Sequence, residues 1–205
     1  MKVDTLPIGL YGENSYVLHD NGHVLFIDPG QYAKEIAAHV AKDEIVDGIV
    51  LTHGHEDHTG AADDLADLFH CPVYLHINDY DMVDPKQPQR LYCLQVYTPL
   101  TELKEGKITI GTFPVEIIHT PGHTPGSVCI QYRNCLFTGD TLFAGSIGRT
   151  DLEGGDEEEM LSSLRLLKEM PGDLTVYPGH DRVTTLAQEK KTNPYLYYLR
   201  TDFMY

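Results

Sequence analysis

The chain has 205 residues, 41% of them apolar and 22% charged, a balance that excludes a disordered polyelectrolyte, and no apolar run reaches the length of a membrane span. Its 31 acidic against 15 basic residues leave a formal charge of -16, which disfavours nucleic acid as a partner because phosphate binding needs clustered lysine and arginine. A neutral small molecule can still bind, whereas an anionic one needs a local cation or a metal.

The N-terminal stretch "MKVDTLPIGLYGENSY" lacks a charged region followed by a continuous apolar one, so no signal peptide is expected and the chain is read as cytoplasmic. In that compartment Cys71, Cys93, Cys129 and Cys135, none of them in C-x-x-C spacing, are expected as buried reduced thiols.

The first elements alternate. "SYVLHDNGHVLFIDPG" reads as two strands joined at Asp20-Asn21-Gly22, a hairpin signal. "YAKEIAAHVAKDE" has helical spacing through Ile36, Ala37 and Val40, "DGIVLT" is a buried strand ending at Thr52, "TGAADDLADLFH" is a helix, and "CPVYLH" is a strand. Residues 84–106 are rich in loop-forming residues and take no confident assignment. The second half opens on strands ("KITIGTFPVEIIHT", "SVCIQYRNCLFTGD"). The helix "GDEEEMLSSLRLLKEM" follows, with Asp156 and Glu159 as a capping-box pair. A strand "LTVYPGH" and the helix-prone "VTTLAQEKK" and "NPYLYYLRTDFMY" close the chain. Both halves run strands first and helices after. The expectation is an α/β architecture, one domain over 1–205 made of two related halves, each with its own sheet.

Residues 52–60, "THGHEDHTG", fall at the carboxyl end of a predicted strand, where α/β folds place ligands. Imidazole nitrogen and carboxylate oxygen are the usual ligands of zinc and related divalent ions. In an extended chain His53 and His55 share a side and can share one ion. His58, next to Asp57, points elsewhere and leaves room for a second. Gly54 is expected to supply backbone freedom between ligands. Three further candidates, His123, Asp140 and His180, each follow a glycine in "TPGHTPGS", "LFTGD" and "VYPGH". Together they make five histidines and two aspartates, enough for two ions if Asp140 bridges them. Glu56 takes no ligand role and is expected to face away. His19, His23, His39, His70, His76 and His119 are read as structural, with His39 and His70 inside helices.

This pattern of H-x-H-x-D-H with later His, Asp and His resembles the metallo-β-lactamase superfamily, and "IDPG" (Asp28) resembles the family's acidic motif that supports the metal loop from behind. The resemblance implies a four-layer αββα sandwich with the metals at one edge. It implies that His53, His55 and His123 hold one ion, that Asp57, His58 and His180 hold the other, and that Asp140 bridges. β-Lactamases of the superfamily lack that bridging aspartate, which disfavours antibiotic hydrolysis. "HTPGHTPGS" and "LFTGDTLFAGSIGRTD" are most similar to the glyoxalase II branch, the hydroxyacylglutathione hydrolases, in their short single-domain bacterial form.

The activity so implied is hydrolysis of a small thioester such as S-lactoylglutathione. Two divalent ions, zinc first, iron or manganese otherwise, would generate a hydroxide from a shared water, with Asp57 and Asp140 as the catalytic carboxylates. Arg149 takes the place of a cationic contact to the thiol carrier, with a salt bridge to Asp151 as the competing reading. Tyr195, Tyr197, Tyr198 and Tyr205 are expected mostly to pack the last helix. The alternatives are a mononuclear-iron persulfide dioxygenase using His53, His123 and Asp140, a lactonase, and a non-enzymatic metal-binding domain.

Overall fold

The computed structural model describes residues 1–199, so Tyr205 lies outside the described residues. The first half forms one six-stranded sheet from β1 (Lys2–Ile8), β2 (Glu13–Asp20), β3 (His23–Ile27), β4 (Ile45–Val50), β5 (Val73–Leu75) and β6 (Leu100–Glu102), in that spatial order. Its helices are α1 (Ala33–Ala37), α2 (Glu56–Thr59), α3 (Ala62–Phe69) and α4 (Tyr80–Val83). The second half forms another six-stranded sheet from β7 (Gly106–Ile110), β8 (Phe113–His119), β9 (Val128–Tyr132), β10 (Cys135–Gly139), β11 (Thr175–Pro178) and β12 (Thr184–Thr185), in the order β12-β11-β10-β9-β8-β7. Its helices are α5 (Glu157–Glu169), α6 (Leu186–Thr192) and α7 (Pro194–Tyr197).

Three apolar cores separate four layers, which makes the architecture an αββα sandwich. Central strands are buried on both faces, so alternate residues feed different cores. In β2 and β3, Val17 and Phe26 face the outer helices, while Leu18 and Leu25 face the opposite sheet. In β9 and β10, Ile130 and Phe137 face inward against them, and Cys129 and Leu136 face α5. All four cysteines are buried and unpaired.

The hairpin closes as its sequence predicts. Asn21 and Gly22 both take positive φ (51° and 80°), and Asp20 pairs with His23 across the turn. Three other expectations are corrected. The helix expected over 32–44 stops at Ala37, and beyond it the Ala41 N–H is held by the Glu44 carboxylate at 2.8 Å instead of a helical carbonyl. His39 therefore lies outside the helix, and His70 is the left-handed residue that ends α3. Only half of the predicted capping box forms. Asp156 accepts from the Glu159 N–H at 2.9 Å, but its own N–H goes to Gly122 O, also at 2.9 Å, which ties α5 to the loop carrying His123. Tyr195, Tyr197 and Tyr198 are exposed, and Leu196 is the residue that packs.

Candidate metal centre

Four loops at one edge of the two sheets carry the candidate ligands. They follow β4 (Thr52 to His58), β8 (Thr120 to Ser127), β10 (Asp140) and β11 (His180). The strand expected to reach Thr52 ends at Val50 because Thr52 leaves the ladder for a side chain. Its N–H and hydroxyl both donate to the Asp28 carboxylate at 2.6 Å, and Asp28, at φ 49°, donates its own N–H to Val50 O. The loop after β11 is clamped to the other sheet by β2. Asn14 N–H donates to Gly179 O at 2.7 Å, and the Tyr16 hydroxyl donates to Pro178 O at 2.6 Å. The edge is thus a seam between the two halves.

All seven predicted ligand residues converge on this seam. Ligand atoms of His53, His55 and His123 lie within 4.8 Å of one another, as do those of Asp57, His58 and His180. Asp140 lies between the two sets. Its Oδ1 is 3.3 Å from His58 Nε2, and its Oδ2 is 3.4 Å from His123 Nε2 and 3.5 Å from His180 Nε2. Every ligand except Asp57 and His180 is buried. Glycines let the backbone come this close: a Cβ on Gly179 would sit 2.2 Å from Asp140 Oδ1. Gly54 serves space rather than conformational freedom, since a Cβ there would meet Met82 Cβ at 3.0 Å and its φ is not positive.

The far nitrogen of most rings is pinned by an oxygen, which fixes ring orientation and tautomer. His58 Nδ1 donates to Asp28 at 3.0 Å. Because the Thr52 hydroxyl already donates to Asp28, it accepts from His53 Nδ1 at 3.1 Å. His123 Nδ1 donates to the Arg149 carbonyl at 2.7 Å, and His180 Nδ1 to Tyr11 O at 3.3 Å. Two supporting carboxylates escaped the sequence. Asp79, fully buried, accepts from Gly54 N–H at 3.0 Å, Thr124 Oγ1 at 2.7 Å and Gly126 N–H at 2.6 Å, and so ties two ligand loops together. Glu13, buried beside His58, accepts from Ser15 Oγ at 3.0 Å, and Ser15 in turn receives the Gly30 N–H. Neither sits in a recognisable motif, so only the fold reveals them.

Burial and neighbouring imidazoles depress His53 well below the ordinary histidine value and bring His55 to about 4, so both are neutral lone-pair donors near neutrality. Burial also opposes charge on His58, but the Asp140 and Asp28 carboxylates outweigh it and raise His58 well above the usual range. Asp140 is buried too, yet the His58 and His123 imidazoles hold it far below the carboxylate range. Desolvation opposes ionisation of Asp57, and its hydrogen bond to His180 and the charge of His58 more than offset this.

These residues fit a pair of divalent cations. His53 Nε2, His58 Nε2 and Asp140 Oδ1 are buried with no hydrogen-bond partner among the described residues, a state that is costly unless a cation receives them. His55 Nδ1 faces His123 Nε2 at 2.9 Å, and with His123 Nδ1 already donating, that Nε2 presents a lone pair. The donor set of nitrogen and carboxylate oxygen suits zinc, iron or manganese.

The centre opens into a cavity of about 220 Å³ whose walls include Tyr11, Tyr92, Arg149 and Leu152. Glu56, expected to face away, is also a wall residue. Arg149 makes the competing contact: its Nε and Nη2 donate to Asp151 at 2.6 and 2.8 Å at the exposed rim. His76 and His119 lie outside the cavity, stacked at 4.3 Å.

A ligand cluster shared by the facing edges of two sheets, under helices on both sides, defines a class of metal-dependent hydrolases. This chain belongs to the metallo-beta-lactamase superfamily, whose family model matches residues 8–180. It is 35% identical to the hydroxyacylglutathione hydrolase GloC of Haemophilus influenzae, over 96% of this chain and 98% of that one. Among solved structures it is similar to the BLEG-1 B3 metallo-beta-lactamase (36% identity, TM-score 0.86, 95% of this chain and 99% of that one). It is also similar to TTHA1623 in a di-iron-bound form (34% identity, TM-score 0.79, 94% of this chain and 100% of that one).

Proposed function

We propose that this chain is a two-metal hydrolase that cleaves a small thioester, with S-lactoylglutathione as the first substrate to test. The observation that carries the reading is Asp140, whose two oxygens face both ligand trios at once. His53, His55 and His123 would hold one ion, and Asp57, His58 and His180 the other. Bound there, the ions would supply a water acidic enough to ionise near neutral pH and a Lewis acid for the carbonyl oxygen. The GloC relative supports a glutathione thioester, and the di-iron relative leaves the choice among zinc, iron and manganese to analysis.

The chain's own groups do the rest. Asp57 and Asp140 are both held ionised by the neighbouring imidazoles, so they balance cationic charge and supply no proton. The departing thiolate, whose conjugate thiol has a pKa of about 8.5, needs no strong acid to leave. Arg149 offers a cation to an anionic thiol carrier at the cavity rim, in competition with Asp151.

The test pairs metal analysis with a substrate panel that contains S-lactoylglutathione, a lactone and a β-lactam, the last because of the BLEG-1 relative. Two divalent ions per chain with thioester turnover are expected. One iron per chain with persulfide-dependent oxygen uptake would replace hydrolysis with the dioxygenase reading, and selective β-lactam turnover would replace the thioester.

A further inference from the structure

A second, more enclosed cavity of about 130 Å³ adjoins the metal cavity and shares His55, Tyr92 and Leu152 with it. Its remaining walls are mostly apolar: Met82, Leu91 and Cys93. Met82 packs against Gly54, between His53 and His55, so the cavity adjoins the metal loop directly. Tyr92 divides the two spaces. It is held at φ 60°, a region that disfavours a bulky side chain, and its carbonyl accepts the Glu56 N–H at 2.8 Å. The only charged side chains in the lining, Arg90 and Glu153, face each other at 3.5 Å. Cys93 is buried, and burial pushes its thiol up to about 11, so it is an apolar wall and not a nucleophile.

A thioester carbonyl at the metal centre has two substituents to house. The thiol carrier of a metabolite such as glutathione is far larger than 130 Å³ and must leave through the open cavity past Tyr11 and Arg149. The acyl group is the smaller substituent and can be held in the narrower cavity. An apolar cavity of about 150 Å³ is known to accept benzene, which sets the scale of the group that fits.

We infer that the Met82–Leu91–Cys93–Leu152 cavity is the acyl subsite, and that the preferred substrates carry an apolar acyl group of about four to seven carbons, branched or aromatic, rather than a small hydroxylated one. This rests on the thioesterase reading above and narrows its substrate class. Each methylene that enters raises kcat/KM by about fourfold, until the cavity is full. A lactoyl group leaves most of the cavity empty.

The test uses the metal-loaded full chain and thioesters of one thiol carrying acetyl, lactoyl, butyryl, isovaleryl, benzoyl and decanoyl groups. The expected profile rises from acetyl to isovaleryl or benzoyl by at least about tenfold and falls at decanoyl. Cys93→Leu, which fills the cavity, moves the optimum toward acetyl, and Met82→Ala, which enlarges it, moves the optimum toward longer chains. The exposed Leu91 gives a third probe that spares the core, Leu91→Ala, which flattens the profile. Binding of the free acids is measured by calorimetry alongside, with benzoate expected to bind at least about tenfold tighter than acetate. A flat profile with thioester turnover intact overturns the subsite and leaves the proposed function standing. If no thioester is cleaved, the proposed function falls, and equal binding of benzoate and acetate then overturns the subsite as well.

Discussion

The two ligand trios are built by different physics. The His53–His55–His123 trio is the more deeply buried of the two, with its rings edge to face at 4.7 to 4.9 Å. Dehydration keeps the His53 and His55 imidazoles neutral. The Asp57–His58–His180 trio sits nearer solvent and is organised by opposite charges, with carboxylates that raise His58 well above the usual histidine value and shift His180 upward as well. His53 and His55 are already in the protonation state a cation requires. In the second trio, His58 must surrender a proton to accept a cation. One centre can therefore load its two ions with different affinities and different pH dependence.

The contrast is broken most completely at Asp140, the carboxylate common to both sides. Asp140→Ala is expected to abolish occupancy of the Asp57–His58–His180 trio and to lower turnover by more than about 100-fold, the upper end of losses for groups that merely support a ligand. Metal-to-protein ratio and single-turnover rates check this, and near-normal turnover on S-lactoylglutathione would sink the two-metal mechanism. Asp28→Asn should act on one side first. It weakens the grip on His58 Nδ1, lowering affinity at that trio by about 10- to 100-fold, as read by chelator competition.

Next in size is stability. Asp79→Ala removes an acceptor from two backbone N–H groups and a hydroxyl, and each buried orphan costs about 1–3 kcal/mol. Denaturant unfolding of the stripped protein should register that loss, and the His53–His55–His123 trio should lose affinity with it because both of its loops loosen.

The pH dependence sharpens the comparison without mutation. Metal loading at pH 7 should release protons from the second trio, seen as a calorimetric enthalpy that follows the buffer's ionisation enthalpy, with affinity there rising by about tenfold per pH unit for each proton released. His53 and His55, both depressed by burial, should release few protons on loading above about pH 5. Stability of the stripped protein carries both signs. His58, raised on folding, contributes stability below the ordinary histidine value of 6.5 that is lost as pH climbs through its folded value. His55, depressed on folding, makes stability fall as pH drops from 6.5 toward 4. The smallest effect is expected from Arg149→Ala. It leaves the carbonyl that holds His123 in place, so kcat should persist while KM for an anionic thioester rises. An unchanged KM would leave Arg149 with only its pairing to Asp151.

The ligands were legible because chemistry demands particular residue types at strand ends, beside glycines that show in the sequence. The alternation of strands and helices likewise exposed the two halves. Asp79 and Glu13 were not legible, since a buried carboxylate earns its meaning from partners up to 47 positions away, as in the Asp79–Gly126 contact. The helix over 32–44 was overread because Ile36, Ala37 and Val40 share a helical stripe, whereas Glu44, drawn off by His19 at 2.8 Å, caps a turn instead. Residues 84–106 carry no periodicity, and their role as a cavity wall depends on tertiary contacts such as the Tyr92 carbonyl accepting the Glu56 N–H of the metal loop.

The seam has one more consequence. Each trio takes two residues from the first half of the chain and one from the second, His123 or His180. A divalent ion at either position would therefore act as a rivet through two sheets that otherwise meet across an apolar interface. Its binding free energy would stabilise the folded state, and the docking of the halves most directly. Chelation should then loosen the sandwich along one plane before it melts either sheet, and amide exchange in β2 and β11, where Asn14 and Tyr16 grip the His180 loop, is where that parting would first be felt.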